Sequence, residues 1–175
     1  MTLEEYARLP DDDLYLEEVS RGLLVREPRP GQEHGRIQFL LGGLLAVFAR
    51  EHGLGHVVGE SGFILQRDPL TLRGPDVAFV SRARTGEAPK KGWAEYSPDL
   101  AVEVLSSSDR PSRMAEKVAQ YFEAGTRMVW LIDPEDRTAV VYASPADVRL
   151  LREGEELDGG DVVPGFRCPL ADLFD

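Results

Sequence analysis

DLAVEVLSSSDRPSRMAEKVAQYFEAGTRMVWLI, residues 99–132, decides the fold. Asp99 to Leu105 is a nearly continuous apolar strand, as expected where both faces of a sheet are covered. SSSDRPS (106–112) reads as the cap of a helix running from Arg113 to Ala124, and Gly125 as its C-terminal stop. Met128 to Ile132 is a second buried strand. Strand, helix and strand in that order predict a right-handed crossover between parallel neighbours.

Upstream, Thr2 to Leu9 reads as a short helix with capping-box spacing between Thr2 and Glu5, ended by Pro10 and three aspartates. Glu17 to Glu27 reads as a hairpin turning at Gly22, and PRPG (28–31) as a turn. From His34 to Glu51, Ile37, Leu40, Leu41, Leu44, Leu45 and Phe48 recur at three and four, the stripe of a helix packed on a sheet. His56 to Gln66 reads as one strand with a glycine bend, Asp76 to Ser81 as the next, and 82–97 as a polar loop. Ala139 to Ala143 and short strands in 145–175 complete the chain. The order predicts an α/β fold with a mixed sheet flanked by helices, and 1–175 as one domain.

Composition narrows the class. Apolar residues make up 42 % of the chain and charged residues 29 %, ordinary for a globular protein. No apolar run approaches the roughly 20 residues that span a bilayer, and the acidic N-terminus lacks the basic start of a secretory signal, so a cytoplasmic protein is expected. Cys168 is the one cysteine, which excludes an intramolecular disulfide and a zinc site made of cysteines. The net charge of -11 argues against indiscriminate binding to nucleic acid, which needs lysine and arginine to neutralise phosphates. Bound cations and local basic patches can offset that charge.

Three residues break the structural pattern. Glu103 sits mid-strand, on the face opposite Leu100, Val102 and Val104. A buried lone carboxylate is costly unless it is paired or bound to a cation; a solvated edge or an arginine partner is the plainer alternative. Asp76 stands with Pro75 at the mouth of a strand, where Pro-Asp also serves simply to open strands. Lys117 lies beside the apolar stripe Met114, Val118, Tyr121 and Phe122, so it either snorkels outward or points at an anion. Together, two carboxylates suit a hard divalent cation and a lysine suits the stabilisation of developing negative charge.

Pro75-Asp76 followed by Glu103-Val-Leu resembles the PD-(D/E)XK nuclease superfamily. More closely, PDLAVEVLSSSDR with KVAQYFEAGTRMVWLIDP is similar to the Uma2 endonuclease family, over about Glu18 to Tyr142. The resemblance implies a restriction-endonuclease-like fold and hydrolysis of phosphodiester bonds in nucleic acid, with DNA as substrate. It implies Mg²⁺ or Mn²⁺ held by Asp76 and Glu103, with Glu18 as a further ligand and Glu17 as its competitor. The superfamily's lysine falls two residues after Glu103, where this chain has Leu105; the resemblance implies Lys117 as its substitute. Gln120 and Tyr121 follow on the same helix face, and His34 matches a family feature at the start of the long helix. The alternative is a catalytically silent binding module. A twofold homodimer is expected, since two sites suit the two strands of a duplex and dimers are the commonest oligomers.

Overall fold

The computed structural model describes residues 1–10, 14–85 and 92–175. In chain order the elements are α1 (Leu3–Tyr6), β1 (Tyr15–Ser20), β2 (Leu23–Pro28), α2 (Gln32–Glu51), β3 (Gly55–Gly59), β4 (Phe63–Arg67), β5 (Leu70–Arg73), β6 (Val77–Ser81) and α3 (Arg82–Thr85). There follow β7 (Leu100–Val104), α4 (Pro111–Glu123), β8 (Met128–Asp133), β9 (Thr138–Ser144), β10 (Asp147–Arg152), β11 (Glu156–Asp158), β12 (Arg167–Pro169) and α5 (Ala171–Phe174).

The large sheet has the order β10-β9-β8-β7-β6-β3, and β7 pairs in parallel with β8, Glu103 opposite Leu131. A smaller sheet has the order β2-β1-β5-β4, and β11 pairs with β12. Alternation along β7 sorts its side chains. Leu100, Val102 and Val104 join Ile37, Leu41 and Leu45 of α2 and Leu170 and Leu173 of the tail in the main core. Ala101 faces the other way, onto Val118 and Tyr121 of α4. On the same side of the sheet, Ala78 and Val80 of β6 pack with Phe63 of β4, which brings the small sheet beside α4. Glu103 therefore points into the junction of two sheets and a helix. This is an α/β fold, a mixed sheet flanked by helices.

Several elements differ from the sequence expectation. The first helix is one turn, although its Thr2–Glu5 capping box forms; the three aspartates expected to end it lie outside the described residues. The stretch from His56 to Gln66 is two strands in different sheets, because Glu60 turns the chain at φ 48°. β5 was not anticipated, being only four residues between Pro69 and Gly74. Part of the expected 82–97 loop forms α3, residues 86–91, with Lys90 and Lys91, lie outside the described residues, and Ala94 bridges to Phe63 of β4. In α2, Leu44 is 42 % exposed, because Ile37, Leu41, Leu45 and Ala49 occupy the sheet-facing positions. The SSSDRPS segment supplies no side-chain cap: Arg110 is the N-cap residue, and Asp109 instead accepts hydrogen bonds from the Ser106 amide and hydroxyl.

Candidate active site

Each site residue is delivered by a different element. Asp76 comes from the entry to β6, Glu103 from β7, Lys117 from α4 and Glu18 from β1, and all four line one cavity of about 120 Å³. Lys117 is 6 % exposed, so it does not snorkel. Its Nζ donates to Glu103 Oε2 at 2.9 Å and lies 3.1 Å from Glu18 Oε1. Tyr121, one turn further along α4, donates its hydroxyl to Glu103 Oε1 at 2.6 Å. The i, i+4 spacing of Lys117 and Tyr121 is what lets both reach one carboxylate.

Glu18 is held from the other side. Arg73 Nη1 donates to its Oε2 at 2.7 Å, and the Gly74 amide to its Oε1 at 2.8 Å. Arg73 Nε donates in turn to Gln120 Oε1 at 2.8 Å, and Gln120 Nε2 to the Ser20 hydroxyl at 2.9 Å. Glu17, the competitor of Glu18, pairs with Arg26 at 2.8 Å and is the more exposed of the two. Asp76 Oδ2 accepts the Val104 amide at 2.7 Å and lies 3.3 Å from His34 Nε2. Its second oxygen, Oδ1, meets no hydrogen-bond donor among the described residues. His34 Nδ1 is buried with no partner.

The electrostatics follow from these contacts. Burial raises the Glu18 carboxyl, but Lys117 and Arg73 outweigh it and hold the group below the ordinary range. For Glu103, burial wins: despite Lys117, the group is pushed above the ordinary range, with the charges on Asp76 and Glu18 adding to the effect. Burial also works against the Lys117 ammonium, yet Glu103 and Glu18 hold it well above the usual lysine range. Burial lowers His34, and Asp76 more than reverses that. Three carboxylates, Glu18, Glu103 and Asp76, face two permanent cations, Lys117 and Arg73; the upward shift of Glu103 favours its protonated form and that of His34 its charged form, and both reduce the negative excess.

A bound cation would favour the ionised form of Glu103 in place of its proton, and Asp76, with its open Oδ1, lines the same cavity. The donors are oxygens, which select a hard ion. Among the described residues, no group of three or more histidine, cysteine, aspartate or glutamate side chains is placed to hold a metal.

A family model, Uma2, described as "Putative restriction endonuclease", matches residues 3–171. The chain belongs to the Uma2 family. A solved structure described as a "putative nuclease belonging to DUF820", from Anabaena variabilis, shares the fold at a TM-score of 0.87. The match covers 99 % of this Uma2 chain and 97 % of that one, at 20 % identity. No curated protein matches the chain significantly. The fold of this Uma2 protein is thus restriction-endonuclease-like; Leu105 stands two residues after Glu103, and the ammonium in the cavity comes from α4. Arg73 escaped the sequence reading. Leu70 and Leu72 do alternate with Thr71 and Arg73, but four residues are too few for period two to stand out.

Proposed function

We propose that this Uma2 protein is a nuclease dependent on Mg²⁺ or Mn²⁺ that hydrolyses phosphodiester bonds in DNA. The observation that carries the reading is Lys117. Its buried ammonium is fixed between two carboxylates, in the same cavity as an aspartate with one open oxygen.

Asp76 and Glu103 would hold the cation. Glu18 was expected as a third ligand; its oxygens meet three donors, Arg73, the Gly74 amide and Lys117, against two for Glu103, and these contacts suit the placing of Lys117. When bound, the cation supplies Lewis acidity toward a phosphoryl oxygen and a more acidic water. The chain's own groups do the rest. Hydrolysis joins a water oxygen to phosphorus and breaks one bond from phosphorus to a sugar oxygen. Lys117 orients the attacking water and stabilises the charge that grows on the phosphoryl oxygens. The Val104 amide and His34 engage Oδ2 of Asp76, leaving Oδ1 without a donor among the described residues. Tyr121 fixes one oxygen of Glu103.

The test is cleavage of plasmid DNA and of a single DNA strand with Mg²⁺ and Mn²⁺ by the wild type, Asp76→Ala and Lys117→Ala, alongside Mn²⁺ titration by calorimetry. Asp76→Ala should lose both cation binding and cleavage. Lys117→Ala should keep the cation and lose cleavage by roughly 10²–10³. A wild type that cleaves nothing with either metal would move the assignment to the silent binding module, which the leucine at position 105 favours.

A further inference from the structure

Beside the carboxylate cavity lies a wider groove of about 930 Å³, within the roughly 300–1,000 Å³ typical of small-ligand sites. It shares His34, Ser106, Asp109 and Met114 with the cavity, so a ligand filling one abuts the other. Its floor is apolar, formed by Leu105, Leu131 and Tyr142 on the face of the large sheet that α4 only partly covers. Its walls carry acceptors, Glu33, Asp109, Asp133 and Glu135, and no lysine or arginine lines it among the described residues.

Among the described residues, basic side chains adjoin its lining at the start of α4. Arg110 and Arg113 are exposed and flank the lining residues Asp109, Pro111 and Met114. Among the described residues, neither side chain has an ion-pair or hydrogen-bond partner. This distribution sorts the parts of a nucleotide. Phosphate is repelled by the acidic walls and drawn to the arginines. A base is uncharged and flat. It can lay its π face on Tyr142 and the leucines and give its amino hydrogens to the carboxylates, as acidic side chains accept from cytosine. A duplex presents two charged backbones and needs cations on both walls. An unpaired strand needs a single basic track with an aromatic surface beside it.

We propose that this groove seats an unpaired nucleotide of the substrate strand, base inward on Leu105 and Tyr142, flanking phosphates on Arg110 and Arg113. The proposal rests on the nuclease reading for the kind of polymer bound. It also gives Leu105 a purpose: a lysine there would put an ammonium in the floor on which the base lies.

Binding can be measured without turnover, using the full chain in Ca²⁺ with a short DNA strand carrying 2-aminopurine, alone or paired with its complement. The single strand should bind more tightly than the duplex and its fluorescence should be quenched. Tyr142→Ala should weaken binding roughly 5–150-fold and abolish the quench, whereas Tyr142→Phe should retain both. Arg110→Ala with Arg113→Ala, both on the surface, should reduce the slope of log K against log salt by about 1.4, or 0.7 for each lost single-strand contact. Equal affinity for duplex, an unaltered slope, or a Tyr142→Ala variant that still quenches would overturn the proposal. So would displacement of the strand by oligo-arginine at lower concentration than by unlabelled strand, which would make the groove a site for basic peptides. A protein that binds and quenches as expected but never cleaves supports the groove and defeats the nuclease reading. One that cleaves while its groove variants bind as the wild type does overturns the groove alone.

Discussion

Replacing Lys117 with methionine keeps most of the side-chain volume and removes the charge between Glu18 and Glu103. The two carboxylates do not suffer equally. Glu18 keeps Arg73 at 2.7 Å and the Gly74 amide at 2.8 Å; Glu103 keeps only the Tyr121 hydroxyl at 2.6 Å. The loss therefore falls on Glu103, 5 % exposed and already raised by burial and by Asp76 and Glu18. Breaking one partner of a buried pair costs about 3–5 kcal/mol, or a melting-point drop of roughly 6–20 °C for a chain of this size. The penalty depends on pH. Without Lys117 the folded-state pKa of Glu103 rises further above its unfolded value, so the folded state holds the proton more tightly. Stability is then greatest below the ordinary carboxyl pKa and is lost as pH climbs through the raised one. Urea melts of wild type and Lys117→Met at about pH 5.5 and about pH 8.5 should show a gap that widens at the higher pH. Mn²⁺ should close part of it, because removing the Lys117 ammonium removes a repulsion and leaves the carboxylates for a cation to offset. A gap below about 1 kcal/mol at the higher pH, where a surface ion pair would lie, would refute the buried placement of Lys117.

Gly55→Ala should break the β3–β6 edge, since a Cβ there would lie 2.1 Å from the Val80 carbonyl oxygen, while Gly43→Ala meets nothing within 4 Å and should stabilise α2 by roughly 0.5–1 kcal/mol; paired thermal melts check both. Cys168 is 1 % exposed and burial pushes its thiol up to about 11, so it should stay unreactive toward a thiol reagent at neutral pH until the protein unfolds. On the outer face of α2, Phe39 is 84 % exposed and Val47 46 %, an apolar patch suited to contact between copies. Light scattering at micromolar concentration should give twice the 19.4 kDa chain mass for the wild type and a lower mass for Phe39→Glu; a wild-type monomer would refute the dimer.

What could be read from the sequence followed how far each signal extends along the chain. The β7–α4–β8 crossover was legible because its apolar periods run without interruption. Glu103 stood out because a carboxylate in the middle of an apolar strand is conspicuous, and Lys117 because it adjoins a helical stripe. The contacts that define the cluster were not legible. Arg73 meets Glu18 55 residues away, and Gln120 meets Ser20 100 residues away. Neither has a local pattern, since only the docking of the small sheet against α4 brings them together. His34 could be placed at a helix start but not 3.3 Å from Asp76. Leu44 misled for a related reason. Its spacing satisfies a helical stripe, but the stripe is wider than the strip of sheet beneath it.

Placing the ammonium on α4 rather than on β7 alters how the site comes apart. A lysine two residues after Glu103 would move with the strand that carries the carboxylate, and that strand lies at the centre of the sheet. Lys117, Gln120 and Tyr121 instead sit on one thirteen-residue helix, which can open locally at less cost than global unfolding. When α4 lifts, the cation, the phenol and the amide depart together while Asp76 and Glu103 stay where they are. Exchange of the α4 amides, measured against that of the β7 amides, reads how far the opening of this helix is separate from that of the sheet.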